Sequence, residues 1–190
     1  MPPKARITRE MIVEEGFQIA RAEGPEKITA RSVSRRLGCS TQPVLYSFDS
    51  VEEIRKAVYQ RADAYHSQWL MSGEHDYGNQ MLNIGMNYVR FAVEEPRLFR
   101  FLFQSDSFAG AALTDMLELE ALTPMIELLA QEAGVTQAAA REIFMTLFVL
   151  AHGYASLFAN NSMVYDEAQI VSALSSVFTG AICAAKGAPK

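Results

Sequence analysis

The side chains of this chain that could do chemistry crowd into one stretch, RSVSRRLGCSTQPVLYSF, residues 31–48. Ser40, Thr41 and Gln42 carry short hydroxyl or amide groups that can hydrogen-bond base edges or phosphate oxygens. Arg31, Arg35 and Arg36 fall on the polar side of the segment before them, where guanidinium groups can neutralise phosphate charge. Tyr46 adds a hydroxyl, and Pro43 stands only five positions beyond Gly38. Bond-making chemistry finds no such concentration. No Ser/His/Asp or Cys/His grouping, phosphate-cradling glycine loop or metal-ligand spacing can be placed, and none of the three histidines is in a close pair. The chain therefore reads as a non-enzyme with no catalytic residues, no metal and no cofactor.

Placing that stretch requires three helices. Thr8 can cap a first helix running to about Glu23, with Ile12, Ile19 and Ala20 on one face and Gly24-Pro25 ending it. Thr29 can cap a second, short helix with Ala30, Val33 and Leu37 as its apolar side. Gly38 stops it, and Ser40 is expected to cap a third. Pro43 falls in that helix's first turn, where no intrahelical N–H is lost. The start of the third helix adds free N–H groups and partial positive charge. Two short helices joined by a Gly-x-Ser turn form the helix-turn-helix plan. Such pairs occur in enzymes too, so a helical small-molecule-binding protein or enzyme without DNA binding stays open as the alternative. Salt separates the two readings, because only DNA binding weakens steeply as salt rises.

The remaining pattern is helical throughout, so the expected fold is all-α with about nine helices. Ser50 and Glu53 form a capping box for a long helix over 51–71. Further helices are expected over 79–94, 97–103, 110–133 with a kink or split at Pro124, 137–159 capped by Thr136, and 165–186. The division is placed at residues 1–50 for the head and 51–190 for the body, with no flexible linker. Charge follows it: residues 1–48 hold eight basic and five acidic residues, and the remainder nine and seventeen, within a net charge of −5. Such asymmetry fits a head facing nucleic acid on an acidic body. No unbroken apolar run approaches about 18 residues, and no secretory signal is read at the N-terminus, so a membrane span is not expected. Two distant cysteines, Cys39 and Cys183, fit a reducing cytoplasm better than a disulfide.

The stretch ITARSVSRRLGCSTQPVLYSFDSVEEI resembles the DNA-binding head of the TetR/AcrR family of bacterial transcriptional regulators. Thr29 opens the second helix, Val33 sits mid-helix, Gly38-Cys39-Ser40 form the turn, and Phe48 precedes the capped helix with Glu52-Glu53-Ile54. Two positions depart from the family pattern. Leu45 stands where a tyrosine is usual, with Tyr46 one place later, and Asp49, Ser50 and Val51 replace the usual lysines. The resemblance implies DNA-binding roles for Thr29, Arg31, Ser40, Thr41, Gln42, Pro43 and Tyr46. FAVEEPRLFRFLF and LAHGYASLF look like parts of the helical C-terminal domain of such regulators, which dimerises through its last two helices and often encloses a ligand. The resemblance thus implies a homodimeric repressor on a palindromic operator, released by a small, largely apolar effector. Two heads about one helical turn apart, ~34–36 Å, suit such a target.

The small residues Ala151, Gly153, Ala155, Ala173, Ser176, Gly180 and Ala184 permit close helix approach in the last two helices. For the effector, Trp69, Met81, Tyr88 and Phe103 are candidate pocket residues, together with Met116, Met125, Phe148 and His152. Methionine and aromatic side chains suit adaptable apolar sites.

Overall fold

Helices form wherever a cap and an apolar stripe coincide. The structure, a computed structural model, describes residues 7–73, 75–104, 122–161 and 163–187. Among the described residues there are nine α-helices and no strand. In chain order they are α1 (Arg9–Glu23), α2 (Ala30–Arg36), α3 (Gln42–Ser47), α4 (Val51–Leu70), α5 (Gln80–Glu94), α6 (Pro96–Phe103), α7 (Thr123–Ala133), α8 (Gln137–Asn160) and α9 (Glu167–Gly187). A single 3-10 turn, Pro25–Lys27, joins α1 to α2. Residues pack into two compact units. Within the described residues the first comprises 7–68 and 95–104, and the second 69–94 and 122–187. Most of α4 thus clusters with the first unit.

The first unit shows why most of α4 packs with it. Ile54, Val58 and Ala62 are buried, and a Cβ added to Gly16 of α1 would lie 2.6 Å from Val58 Cγ2. Only a residue without a side chain lets these helices approach so closely. Gly16→Ala is therefore expected to destabilise the protein by about 1–3 kcal/mol through overpacking, seen as a lower urea midpoint at unchanged slope. Arg61 reinforces the pair, lying over the Phe17 ring at 4.4 Å and donating from Nε to Glu14 at 3.0 Å. Short α6 completes the core with Leu98, Phe99 and Leu102. Its lead-in residue, buried Glu95, accepts from Arg21 Nε at 2.9 Å and from Arg21 Nη2, and this pairing raises the pKa of the guanidinium.

His66 of α4 lies buried edge-on to Phe103, ring centroids 5.0 Å apart. Burial disfavours its charged form and holds its pKa down to about 4, against 6.5 in an open chain. The unfolded chain therefore takes up the proton first as pH falls. Its contribution is whole above pH 6.5 and is lost progressively towards pH 4, by on the order of 3 kcal/mol. Urea midpoints measured from pH 7.5 down to 4 should show this fall, and His66→Gln should flatten it.

In the second unit α5 is buried on nearly all sides, with Met81, Ile84, Met86, Tyr88, Val89 and Phe91 inside. A core of Met81, Ile84, Ile126, Leu129, Ile143 and Phe144 unites α5, α7 and α8. Asn87, also buried, donates from its amide to the carbonyls of Leu70 and Ser72, each at 3.0 Å, closing the end of α4. The Trp69 indole N–H answers by donating to the Asn87 carbonyl at 3.1 Å.

Several boundaries differ from expectation. Proline opens α6 at its first position, and Pro124 lies in the first turn of α7; the earlier part of the expected 110–133 helix lies outside the described residues. For α9 the start falls at Glu167 rather than 165, because the Asp166 carboxylate accepts from the Gln169 N–H at 3.1 Å and caps the helix there. Thr136 caps α8 as expected, accepting from the Ala139 N–H.

Both α8 and α9 are long and apolar enough, by length and composition alone, to cross a membrane. Polar residues such as His152, Ser172 and Ser176 interrupt their apolar runs, which is why no unbroken run reaches that length in the sequence. Among the described residues, the large apolar side chains that these two helices leave most open are Val149 and Leu157 of α8.

Candidate functional site

Three local devices build the α2–turn–α3 corner. Thr29 and Ser32 cap α2 reciprocally: the Ser32 N–H donates to Thr29 Oγ1 at 3.0 Å, and the Thr29 N–H donates to Ser32 Oγ at 2.9 Å. The Thr29 hydroxyl is thus already engaged in holding the helix. At the far end Gly38 takes φ +64°, the left-handed backbone that favours glycine. Around it the Cys39 N–H donates to the Ser34 carbonyl at 3.0 Å and the Gly38 N–H to the Arg35 carbonyl, a Schellman termination. Val44 and Phe48 then anchor α3 in the core of the first unit.

Ser40 does not cap α3. The flanking residue is Thr41, in helical conformation and without a side-chain cap bond, and the helix begins at Gln42. Pro43 removes the N–H three residues after Ser40 that a capping oxygen there would take, and Thr41 has the helical backbone (φ −69°, ψ −17°) rather than the extended one a capping residue adopts. The Ser50–Glu53 box is also half formed. The Glu53 N–H donates to Ser50 Oγ at 3.1 Å, but the Glu53 carboxylate accepts from the Asp49 N–H instead, and from Arg9.

With Val44 turned inward, α3 presents Gln42, Leu45 and Tyr46 outward. Ser40, Thr41 and Gln42 are exposed, Pro43 is half-buried, and Tyr46 is 81% exposed. Gln42 Nε2 donates to the Tyr46 hydroxyl at 3.2 Å, so the two side chains support one another. Of the nearby arginines, Arg36 is paired with Glu15 at 2.6 Å, and Arg9 with Glu53 at 2.5 Å while lying 3.8 Å over the Phe48 ring. Arg31 and Arg35 are exposed and have no ion pair among the described residues. An outward polar and aromatic face beside two uncompensated cations suits a polyanion.

The expected pocket residues do not all meet. In the second unit Met81 belongs to the core, with Met125 and Phe148 packed against it. Tyr88 lies 5.8 Å from Phe148, and its hydroxyl is 2.9 Å from His152 Nδ1. Burial pushes the phenol pKa up and the imidazole pKa down, so both stay neutral and their contact is an uncharged hydrogen bond. Trp69 packs edge-on to Phe91 at 5.7 Å and is held by Asn87. Phe103 lies in the first unit against Phe99 and His66. Met116 lies outside the described residues.

Elsewhere on the second unit a groove of about 470 Å³ runs along the exposed side of α8, lined by Thr146, Val149, Leu150, Gly153, Tyr154 and Leu157, with Val177 of α9. Val149 and Leu157 are each 49% exposed there.

A family model described as the Tetracyclin repressor-like, C-terminal domain matches residues 81–178, more than half of the chain. The chain belongs to the TetR family. Its fold is similar to that of a TetR-family transcriptional regulator from Streptomyces coelicolor, with a TM-score of 0.70 at 16% identity, covering 94% of this chain and 83% of the other. No curated protein matches the sequence. As a TetR-family chain it is a transcriptional regulator with an all-helical fold.

Within this TetR-family chain, two features of the site escape a reading of the sequence. The pattern marks Leu45 only as a departure, yet its spacing from Gln42, three residues along a helix, already places it on the same face. The division of the arginines into paired and free leaves no local signal, because Glu15 and Glu53 lie 21 and 44 residues from their partners.

Proposed function

We propose that this TetR-family chain is a dimeric cytoplasmic repressor that binds a palindromic operator through α2 and α3 and is released by a small, largely apolar effector. The observation that carries the reading is the outward face of α3, with Gln42 and Tyr46 beside the uncompensated Arg31 and Arg35. Thr41 and Ser40 add hydroxyl donors, Pro43 stiffens the helix start, and Thr29 sets the angle of α2. The second copy is proposed to cover the apolar side of α8 and α9, where a single chain leaves Val149 and Leu157 half exposed. Small residues at Ala151, Ala155, Ala173 and Gly180 let the helices approach closely.

For the effector, the cluster of Met81, Tyr88, Met125, Phe148 and His152 offers apolar walls with one neutral polar pair. A ligand bound there can release DNA only by its difference in affinity between the two states of the dimer. The long helix α4, which begins directly after the head, is the element proposed to carry the change. No catalytic role is assigned. The test is selection of duplexes from a random pool by the full-length protein, followed by fluorescence anisotropy on the winner. An inverted repeat whose affinity falls steeply between 50 and 200 mM salt, by about 10³-fold or more for six or more phosphate contacts, supports the reading. Absence of any enriched duplex would refute it.

A further inference from the structure

Leu45 is 57% exposed, an apolar side chain set between polar neighbours on α3. It stands three residues after Gln42 and adjoins Tyr46, so all three share one side of the helix. The helix cannot roll to hide it, because Val44 is fully buried on the opposite side and Phe48 is nearly so. The bond from Gln42 Nε2 to the Tyr46 hydroxyl draws those polar groups together and leaves the isobutyl group of Leu45 flanking them. The exposed, uncompensated Arg31 and Arg35 of the preceding helix attract a polyanion to this surface, so the occupant that matches it is a DNA duplex.

In the major groove a base edge offers one apolar feature, the 5-methyl group of thymine. We propose that Leu45 reads that methyl group and is a specificity-determining residue of the interface; this inference rests on the proposed DNA binding. Gln42 keeps its carbonyl oxygen and one N–H for an adenine edge, the pair that glutamine matches best. Along α3 the two residues are about 4.5 Å apart, close to the ~3.4 Å spacing of base pairs. They address neighbouring pairs, and the half-site carries a thymine beside the pair that Gln42 contacts. Leucine here sacrifices a hydrogen bond to phosphate or base that a polar side chain could make, in exchange for discrimination by shape.

The experiment takes the duplex that full-length protein selects from a random pool and replaces its thymines with deoxyuridine one at a time, on both strands. This removes a methyl group and nothing else. One thymine in each half-site should respond, with affinity falling about fourfold per half-site substituted. Leu45→Ala should lose the same factor on the thymine duplex and be indifferent to the substitution, whereas Leu45→Met should keep most of the response. Helix content by circular dichroism checks that the variants fold. Equal affinity of the wild-type protein for every deoxyuridine duplex would overturn the inference, as would an undiminished response in Leu45→Ala. If no duplex is enriched at all, DNA binding itself is lost and this inference falls with it; enrichment without methyl dependence removes the inference alone.

Discussion

Replacing Gln42 by alanine is expected to lower operator affinity by roughly 30-fold or more, with Tyr46→Ala close behind, while the oligomeric state stays unchanged. A glutamine that reads a base edge bidentately contributes about 1–3 kcal/mol, and a symmetric dimer presents it twice. Neither side chain holds the fold: both are exposed, and their one described hydrogen bond is to each other. Loss of binding should therefore come without loss of stability, which a urea melt run beside the anisotropy titration will show. Truncating either residue also frees the other, so the double variant should cost less than the sum of the two singles. Unchanged affinity in both single variants would remove α3 from the interface.

The second large effect is expected at Leu157. Leu157→Glu places a carboxylate on the half-exposed apolar side of α8, beside Val149 and Tyr154. In a single chain that position reaches water, so folding should survive with little change. In a dimer that covers this face the charge would be desolvated without a partner, which association cannot tolerate. Sedimentation should then report monomers. Operator affinity should fall by roughly 100-fold or more, because each head loses the effective concentration that its partner supplies. A variant that remains dimeric and binds DNA normally would place the interface elsewhere. The two variants separate the functions: Gln42→Ala removes DNA and keeps the dimer, and Leu157→Glu removes both.

Much of the helical plan was legible because its signals are short-range. Thr8 accepting from Met11, Thr136 accepting from Ala139 and Gly38 at positive φ are events within four residues, and their spacing is visible in the chain. Helix starts deviate where a competing local group intervenes, as Pro43 does for Ser40 and Asp166 does for Tyr165. The candidate interface was legible as a cluster, though not as a face. Residue types named Gln42, Tyr46 and the arginines, while burial of Val44 selected which side of α3 looks outward.

By itself, then, the amino-acid order specified an all-helical chain, most of its helix ends and the position of the helix-turn-helix, since caps, glycines and apolar stripes act between near neighbours. Only tertiary packing decided which charges stay free, which pocket candidates meet and which helices remain uncovered. Arg36 is spent on Glu15 and Phe103 is held in the first unit, whereas Tyr88 finds His152 across 64 residues. Those outcomes depend on distances between segments far apart along the chain. Such distances are set by how whole helices bury their apolar faces, and by nothing local to the residues concerned.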